Sequence, residues 1–135
     1  MIEKEISHIL SLVSSKNYIR AYNLSSPLYK KHSPHIEAVK VHFYILSLLD
    51  RNIEAVEEIN EYAKNNKIED INDHEVLNLF GYFYMKTEDF EKSIKLLDMT
   101  ISIKHDFGPA HQNLAEVLIV KRDFLKALEH VNKAI

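Results

Sequence analysis

The sequence predicts an all-α protein, a right-handed helical-hairpin solenoid of about eight helices, and three observations carry that expectation. Apolar residues recur at spacings of three and four through most of the 135 residues, the period of amphipathic helices rather than strands. Short polar breaks, such as Ser14-Ser15-Lys16-Asn17, Asp50-Arg51-Asn52 and Thr87-Glu88-Asp89, cut the pattern into helix-length pieces. Most tellingly, Leu77, Phe80, Gly81, Tyr84, Phe90, Ser93, Leu97 and Ile101 are followed 34 residues later by His111, Leu114, Ala115, Leu118, Phe124, Ala127, Val131 and Ile135. A fixed period with two helical stretches in it is the mark of stacked helical hairpins.

In chain order, Ile6, Ile9, Leu10 and Val13 define the first helix. The second carries Tyr18, Ala21, Tyr22 and Leu24, and Pro27 predicts a kink or a fresh start near Ser25-Ser26, because proline forfeits a helical hydrogen bond and crowds the preceding turn. His32-Ser33-Pro34 closes the pair, since the residue before proline is pushed out of the helical region. The third helix, about His35 to Leu49, is apolar almost all round and therefore buried on more than one side. The fourth carries Ile53, Val56, Ile59, Tyr62 and Ala63. After it, the polar stretch 64–73 reads either as an extended helix end with a loop or as a small irregular excursion, lengthening the period by three residues. The fifth helix spans about Asp73 to Lys86, with Asp73 as its cap, and the sixth Phe90 to about Ile103. Asp106-Phe107-Gly108-Pro109 is strong punctuation, Pro109 suiting a first turn that needs no N–H. The seventh covers Ala110 to Lys121; the eighth begins near Asp123 and still runs at Ile135, apolar and in mid-pattern, which reads as the edge of a longer parent chain. One domain of four helix pairs is expected, about 1–34, 35–72, 73–107 and 108–135.

Composition narrows the function classes. The net charge is −3, with Lys and Arg scattered among Glu and Asp, so there is no basic stripe to neutralise phosphates and nucleic acid is not an expected partner. Without cysteine there is neither a disulfide framework nor a thiol nucleophile. Met1-Ile2-Glu3-Lys4-Glu5 places charges where a signal peptide needs an apolar run, and no segment offers an uninterrupted apolar membrane span. A cytoplasmic, membrane-free protein is the expectation.

With these residues in view, the chain resembles the tetratricopeptide repeat (TPR) family. The family pattern sets an aromatic, then Leu-Gly, then Tyr on its first helix, and Ala followed by a large apolar residue on its second. Leu77, Phe80, Gly81, Tyr84, Phe90, Ser93, Leu97 and Thr100 occupy these places, then His111, Leu114, Ala115, Leu118, Phe124, Ala127, Val131 and Ala134. Phe43, Tyr44, Ser47, Ile53, Val56 and Ala63 follow the pattern loosely, Tyr44 standing where a small residue belongs, and Ile9, Leu12, Tyr18, Ala21 and Leu28 follow it modestly. The resemblance makes Gly81, Tyr84, Phe90, Ala115, Phe124 and Ala127 fold positions: small residues for close helix approach, aromatics to fill the hairpin end.

The resemblance also implies a concave groove lined by the first helix of each pair, offering Ile6, Leu10 and Val13, then Val41, Ile45 and Leu48, then Asn78, Tyr82, Met85 and Lys86, then Gln112, Glu116 and Ile119. Such a surface suits a peptide or helix of a protein partner, with Tyr82 and Asn78 as its polar-aromatic handle; internal packing is the competing account of the same residues. The charged clamp with which some TPR co-chaperones hold a terminal carboxylate is missing: Ile6, Leu10, His42, Glu75 and Leu79 stand in its place. The eight histidines, among them His32, His35, His105 and His111, supply no local third ligand, so neither metal nor cofactor is expected, and His111 is the one expected to be partly buried. Glu54/Glu61, Glu57/Glu58 and Glu88/Asp89 read as solvated carboxylates. Two glycines cannot build a phosphate loop, and no nucleophile motif appears. The expected function is a non-catalytic protein-interaction scaffold. The alternatives are an N-terminal arm of a larger, transferase-type enzyme and a module that self-associates through its C-terminal helix pair.

Overall fold

The computed structural model describes residues 2–32 and 35–134; the expected closure at Ser33-Pro34 and the apolar Ile135 lie outside them. Among the described residues there are eight α-helices, no strands and one short 3₁₀ turn. They are α1 (Ile2–Ser14), α2 (Tyr18–His32), α3 (Ile36–Leu48), α4 (Asn52–Ala63), α5 (His74–Lys86), α6 (Phe90–Ile103), α7 (Gly108–Val120) and α8 (Phe124–Ala134), the 3₁₀ turn being Ile68–Asp70. The chain divides into two compact units, Met1–Asn66 and Lys67–Ile135.

Each tight turn is built alike. Lys16, Asp50, Glu88 and Arg122 adopt the left-handed backbone, and the next N–H reaches back to the carbonyl of the last helical turn: Asn17 to Leu12, Arg51 to Leu46, Asp89 to Tyr84 and Asp123 to Leu118, at 2.8–3.0 Å. This is the Schellman closure of a helix, made here by exposed polar residues where glycine is usual. The turns recur at spacings of 34, 38 and 34, so the insertion between α4 and α5 is four residues rather than three. It houses the 3₁₀ turn and ends at Asp73, whose Oδ1 accepts from the N–H groups of Glu75 and Val76 at 3.0 and 3.1 Å. The neighbouring carboxylates Asp89 and Asp123 cap α6 and α8 through the N–H groups of Lys92 and Lys126.

That register corrects two expectations. The small residue of the second helix falls at Ala21, Ala55, Ser93 and Ala127, all buried, which makes Ala55 and not Val56 the crossing point on α4. On the first helix, Gly81 and Ala115 correspond to Ile9 and Phe43, not Tyr44: Phe43 is fully enclosed and Tyr44 is exposed. Bulk at these two positions is why the first unit departs from the family pattern. In that unit Ile9, Ala21, Leu28, Val41 and Ile45 form the core, joined by Ile2, Ile6, Leu12 and Val13. Pro27 does not restart α2, which runs through it from Tyr18 to His32; it and Asn23, whose carbonyl loses its helical donor, are both on the solvent side.

In the second unit, Gly81 is placed so that an added Cβ would lie 2.8 Å from Leu97 Cγ and Cδ2, and Ser93 Oγ donates to the Gly81 carbonyl at 2.8 Å. Leu97, Ala110 and Leu114 make one core cluster with Ile94, Ile101 and Phe107, and Ala115, Leu118 and Ala127 make another between α7 and α8. The expected aromatic filling of the hairpin ends holds only in part. Phe90 is half-buried, but Phe124 is 61% exposed, because no helix among the described residues covers that face of α8.

Candidate functional site

The groove residues expected from sequence separate by burial. Val41 and Ile45 are closed into the first unit's core and Leu48 is half-buried; Met85 is buried in the second unit. These side chains are consumed by packing. What faces outward in the second unit is Asn78 and Tyr82, both half-buried on α5, with Gln112, Glu116 and Ile119 exposed on α7. One turn apart on each helix, they share a face. Asn113 Nδ2 donates to Asn78 Oδ1 at 3.1 Å and ties α5 to α7 there. Tyr82 is held edge-on against Phe83, and Lys86 Nζ lies 5.6 Å from its ring centroid. The face thus offers a positioned aromatic ring, two amides, one carboxylate and an isoleucine.

Two polar clusters escaped the sequence reading. In the first unit Ser25 Oγ and His42 Nδ1 are 2.9 Å apart, and His42 Nε2 is 3.0 Å from Glu58 Oε1. Nε2–H donates to the carboxylate, while Ser25 Oγ bonds Nδ1 and also lies 3.3 Å from the Tyr22 carbonyl, to which its hydroxyl can donate. Ser25 and His42 are sealed from solvent, His42 being stacked on Tyr29 at 4.8 Å, so this serine, histidine and glutamate join α2, α3 and α4 and present no nucleophile to a substrate. Glu58 Oε2 is enclosed without a donor among the described residues. Nearby, Tyr22 O–H donates to Glu54, and Arg51 lies over the Tyr22 ring, 4.3 Å from its centroid, and 3.7 Å from Glu54. Donation to Glu54, then burial, pushes the Tyr22 phenol up from its usual range. Glu54 and Glu58 are therefore inter-helix ligands of hydroxyl and imidazole, not the solvated carboxylates expected. Their signal in the sequence was faint: residues at one register, His42 where α5 has Phe80 and Glu58 where α6 has Leu96.

In the second unit His111 is fully buried, more so than expected; its Nε2 donates to the His105 carbonyl at 2.6 Å, and its Nδ1 meets His130 Nδ1 at 2.7 Å. Among the described residues no three side chains of the His, Asp and Glu type converge as a metal's ligands would. No described helix is long and apolar enough to cross a membrane.

Paired helices closed by repeated Schellman turns, with a small residue at each second-helix crossing, define an all-α helical-hairpin solenoid. Comparison with solved structures agrees. MamA from residue 41 to its end, from Desulfovibrio magneticus RS-1, superposes with a TM-score of 0.78 at 20% identity, over 98% of this chain and 72% of that one. A crystal structure of MamA gives 0.78 at 17% identity, over 98% and 75%, and MamA of AMB-1 gives 0.78 at 15%, over 99% and 77%. Similarity at such identities is similarity of fold. No protein-family profile and no curated protein sequence matches the chain.

Proposed function

We propose that this chain is a non-catalytic interaction module that holds a segment of a partner protein on the α5–α7 face. The observation that carries the reading is the joined exposure of Asn78, Tyr82, Gln112, Glu116 and Ile119 on two helices tied by the Asn113–Asn78 bond. Rigid aromatic area beside the Gln112 amide and the remaining Asn78 N–H groups binds a backbone at low entropic cost. The test is selection of peptides from a random displayed library on the intact chain, followed by affinity measurement with Tyr82→Ala and Ile119→Glu. Loss of about tenfold or more in affinity with each variant is expected, a hot-spot-sized effect. Selected peptides that bind both variants as they bind the parent would refute this face.

Self-association is a second reading, favoured by one observation: Phe124, Leu125 and Leu128 stand 61%, 80% and 58% exposed along α8. Contiguous exposed apolar surface of this kind marks interfaces. Light scattering over a concentration range is expected to show a dimer that Leu125→Glu/Leu128→Glu converts to monomer; a parent chain monomeric at every concentration would remove the reading.

A further inference from the structure

The second unit contains two hairpins in the same register, and among the places where they differ is one pair that is apolar in the first and titratable in the second. In α5–α6 the facing residues are Leu77 and Leu96, both buried. Thirty-four residues on, the same two places in α7–α8 hold His111 and His130. An apolar contact has been replaced by two imidazoles stacked 5.0 Å apart between centroids, joined Nδ1 to Nδ1 at 2.7 Å.

That geometry restricts the proton count. His111 Nε2–H donates to the His105 carbonyl, so the neutral His111 ring presents a bare Nδ1, and His130 must supply the N–H between them. A first added proton leaves an N–H on both Nε2 atoms and one proton shared between the two Nδ1 atoms, so the bond stays intact. A second has no place except the remaining Nδ1, where it sets two N–H groups and two cations face to face. We infer that His111–His130 is a proton-operated latch that holds α8 on α7 while the two imidazoles share no more than one added proton and releases it when both are protonated.

Three further facts bear on the latch. α8 is weakly held otherwise, Ala127 being its one buried side chain among the described residues. Burial first, then the His111 and Lys133 charges, pull His130 below the usual histidine range, while Asp98 on α6 and Glu129 on α8 oppose them. Lys126, also on α8, acts on Asp98, and His105 contributes its carbonyl from the α6–α7 turn. Because the opened helix binds protons more readily than the closed one, opening is favoured as pH falls below the ordinary histidine value.

The experiment compares the intact chain with His111→Leu/His130→Leu, which installs the sibling hairpin's own pair. Imidazole nitrogen signals and exchange of α8 amides, normalised for intrinsic rates, are followed from about pH 7.5 to about pH 5, across the ordinary histidine range. In the parent, the pair is expected to keep one proton between its two Nδ1 atoms until α8 opens, with the opening equilibrium rising by up to about tenfold per pH unit for each proton taken up. In the Leu/Leu chain α8 exchange is expected to be indifferent to pH. Protonation of both imidazoles with α8 still protected, or the same acid opening in the Leu/Leu chain, would overturn the latch. His130→Gln, which keeps a donor for His111 Nδ1 but cannot titrate, guards against a Leu/Leu chain that fails to fold: a shallower acid opening is expected, and an unchanged one refutes the proposal.

Discussion

Adding a single methyl group at Gly81 tests how closely α5 and α6 must approach. In Gly81→Ala the new Cβ would lie 2.8 Å from both Leu97 Cγ and Cδ2, whereas carbon atoms in good contact sit about 3.5–4.0 Å apart. Leu97 is fully buried, so it cannot swing into solvent; it must leave its rotamer, or the helices must separate and lengthen the Ser93–Gly81 bond. Overpacking of this sort costs about 1–3 kcal/mol, against which alanine regains about 0.5–1 kcal/mol of helix propensity. The expected net loss is about 1–2 kcal/mol. The sibling hairpin supplies the compensating change: Ala115 stands at the same register, and the residue facing it in the pattern is Val131 instead of leucine. Leu97→Val alone should cost about 1 kcal/mol for the lost methyl. Combined with Gly81→Ala it should restore part of the loss, a favourable coupling of about 1 kcal/mol or more. Urea unfolding of the four proteins, followed by helix circular dichroism, measures the cycle. A Gly81→Ala chain as stable as the parent, or strict additivity, would show that the approach of the helices does not depend on the missing side chain.

Other expectations follow from the same register. Ser93→Ala places at α6 the residue found at 21, 55 and 127 and removes one bond to a carbonyl already engaged in its helix; a loss of about 0–1 kcal/mol in urea is expected, and a much larger one would make the hydroxyl essential. His42→Phe, copying Phe80, leaves Ser25 and Glu58 without their imidazole and should cost about 1–3 kcal/mol, whereas His42→Phe/Glu58→Leu should recover most of it; no recovery would mean that shape and not polarity fails. Phenol ionisation gives an alkaline prediction. Tyr22 is raised by Glu54 and burial, Tyr62 by burial, and Tyr84 by burial and then Asp89. Each stays protonated in the fold when the unfolded chain has ionised, so stability is full below about pH 10 and falls as pH rises through the folded values. Spectroscopic titration should show these three ionising above the usual tyrosine range, and Tyr84→Phe should make the alkaline loss shallower.

Helix number and type were legible because apolar periodicity acts through local geometry: each helix buries one stripe, and the polar breaks between stripes cannot be hidden. The turn residues were less legible. Lys16, Asp50, Glu88 and Arg122 take a backbone that glycine takes more cheaply, so only their polarity announced them, and a four-residue insertion was counted as three. Register in the first unit was lost for the same reason, since nothing but the turns fixes Phe43 rather than Tyr44 opposite α4's small residue. The groove was misjudged at Val41, Ile45 and Met85 because period shows which face of a helix is apolar but not which neighbour covers it.

The two buried polar clusters point to a common cause. In a repeat, equivalent places ask for equivalent apolar residues, so a titratable group at such a place must be satisfied by a partner arriving from another helix. His42 finds Ser25 and Glu58 on α2 and α4; His111 finds His130 on α8 and a carbonyl before α7. No window of consecutive residues contains either set, which is why local motifs missed them. Alignment of the chain with itself finds them at once, as departures of His42 from Phe80, Glu58 from Leu96, His111 from Leu77 and His130 from Leu96. The departures differ in kind. The carboxylate of the first cluster accepts from the imidazole and can also balance its charge, whereas the second cluster sets imidazole against imidazole. Added protons therefore set the two rings of the second contact against each other, whereas the first keeps a carboxylate beside its imidazole.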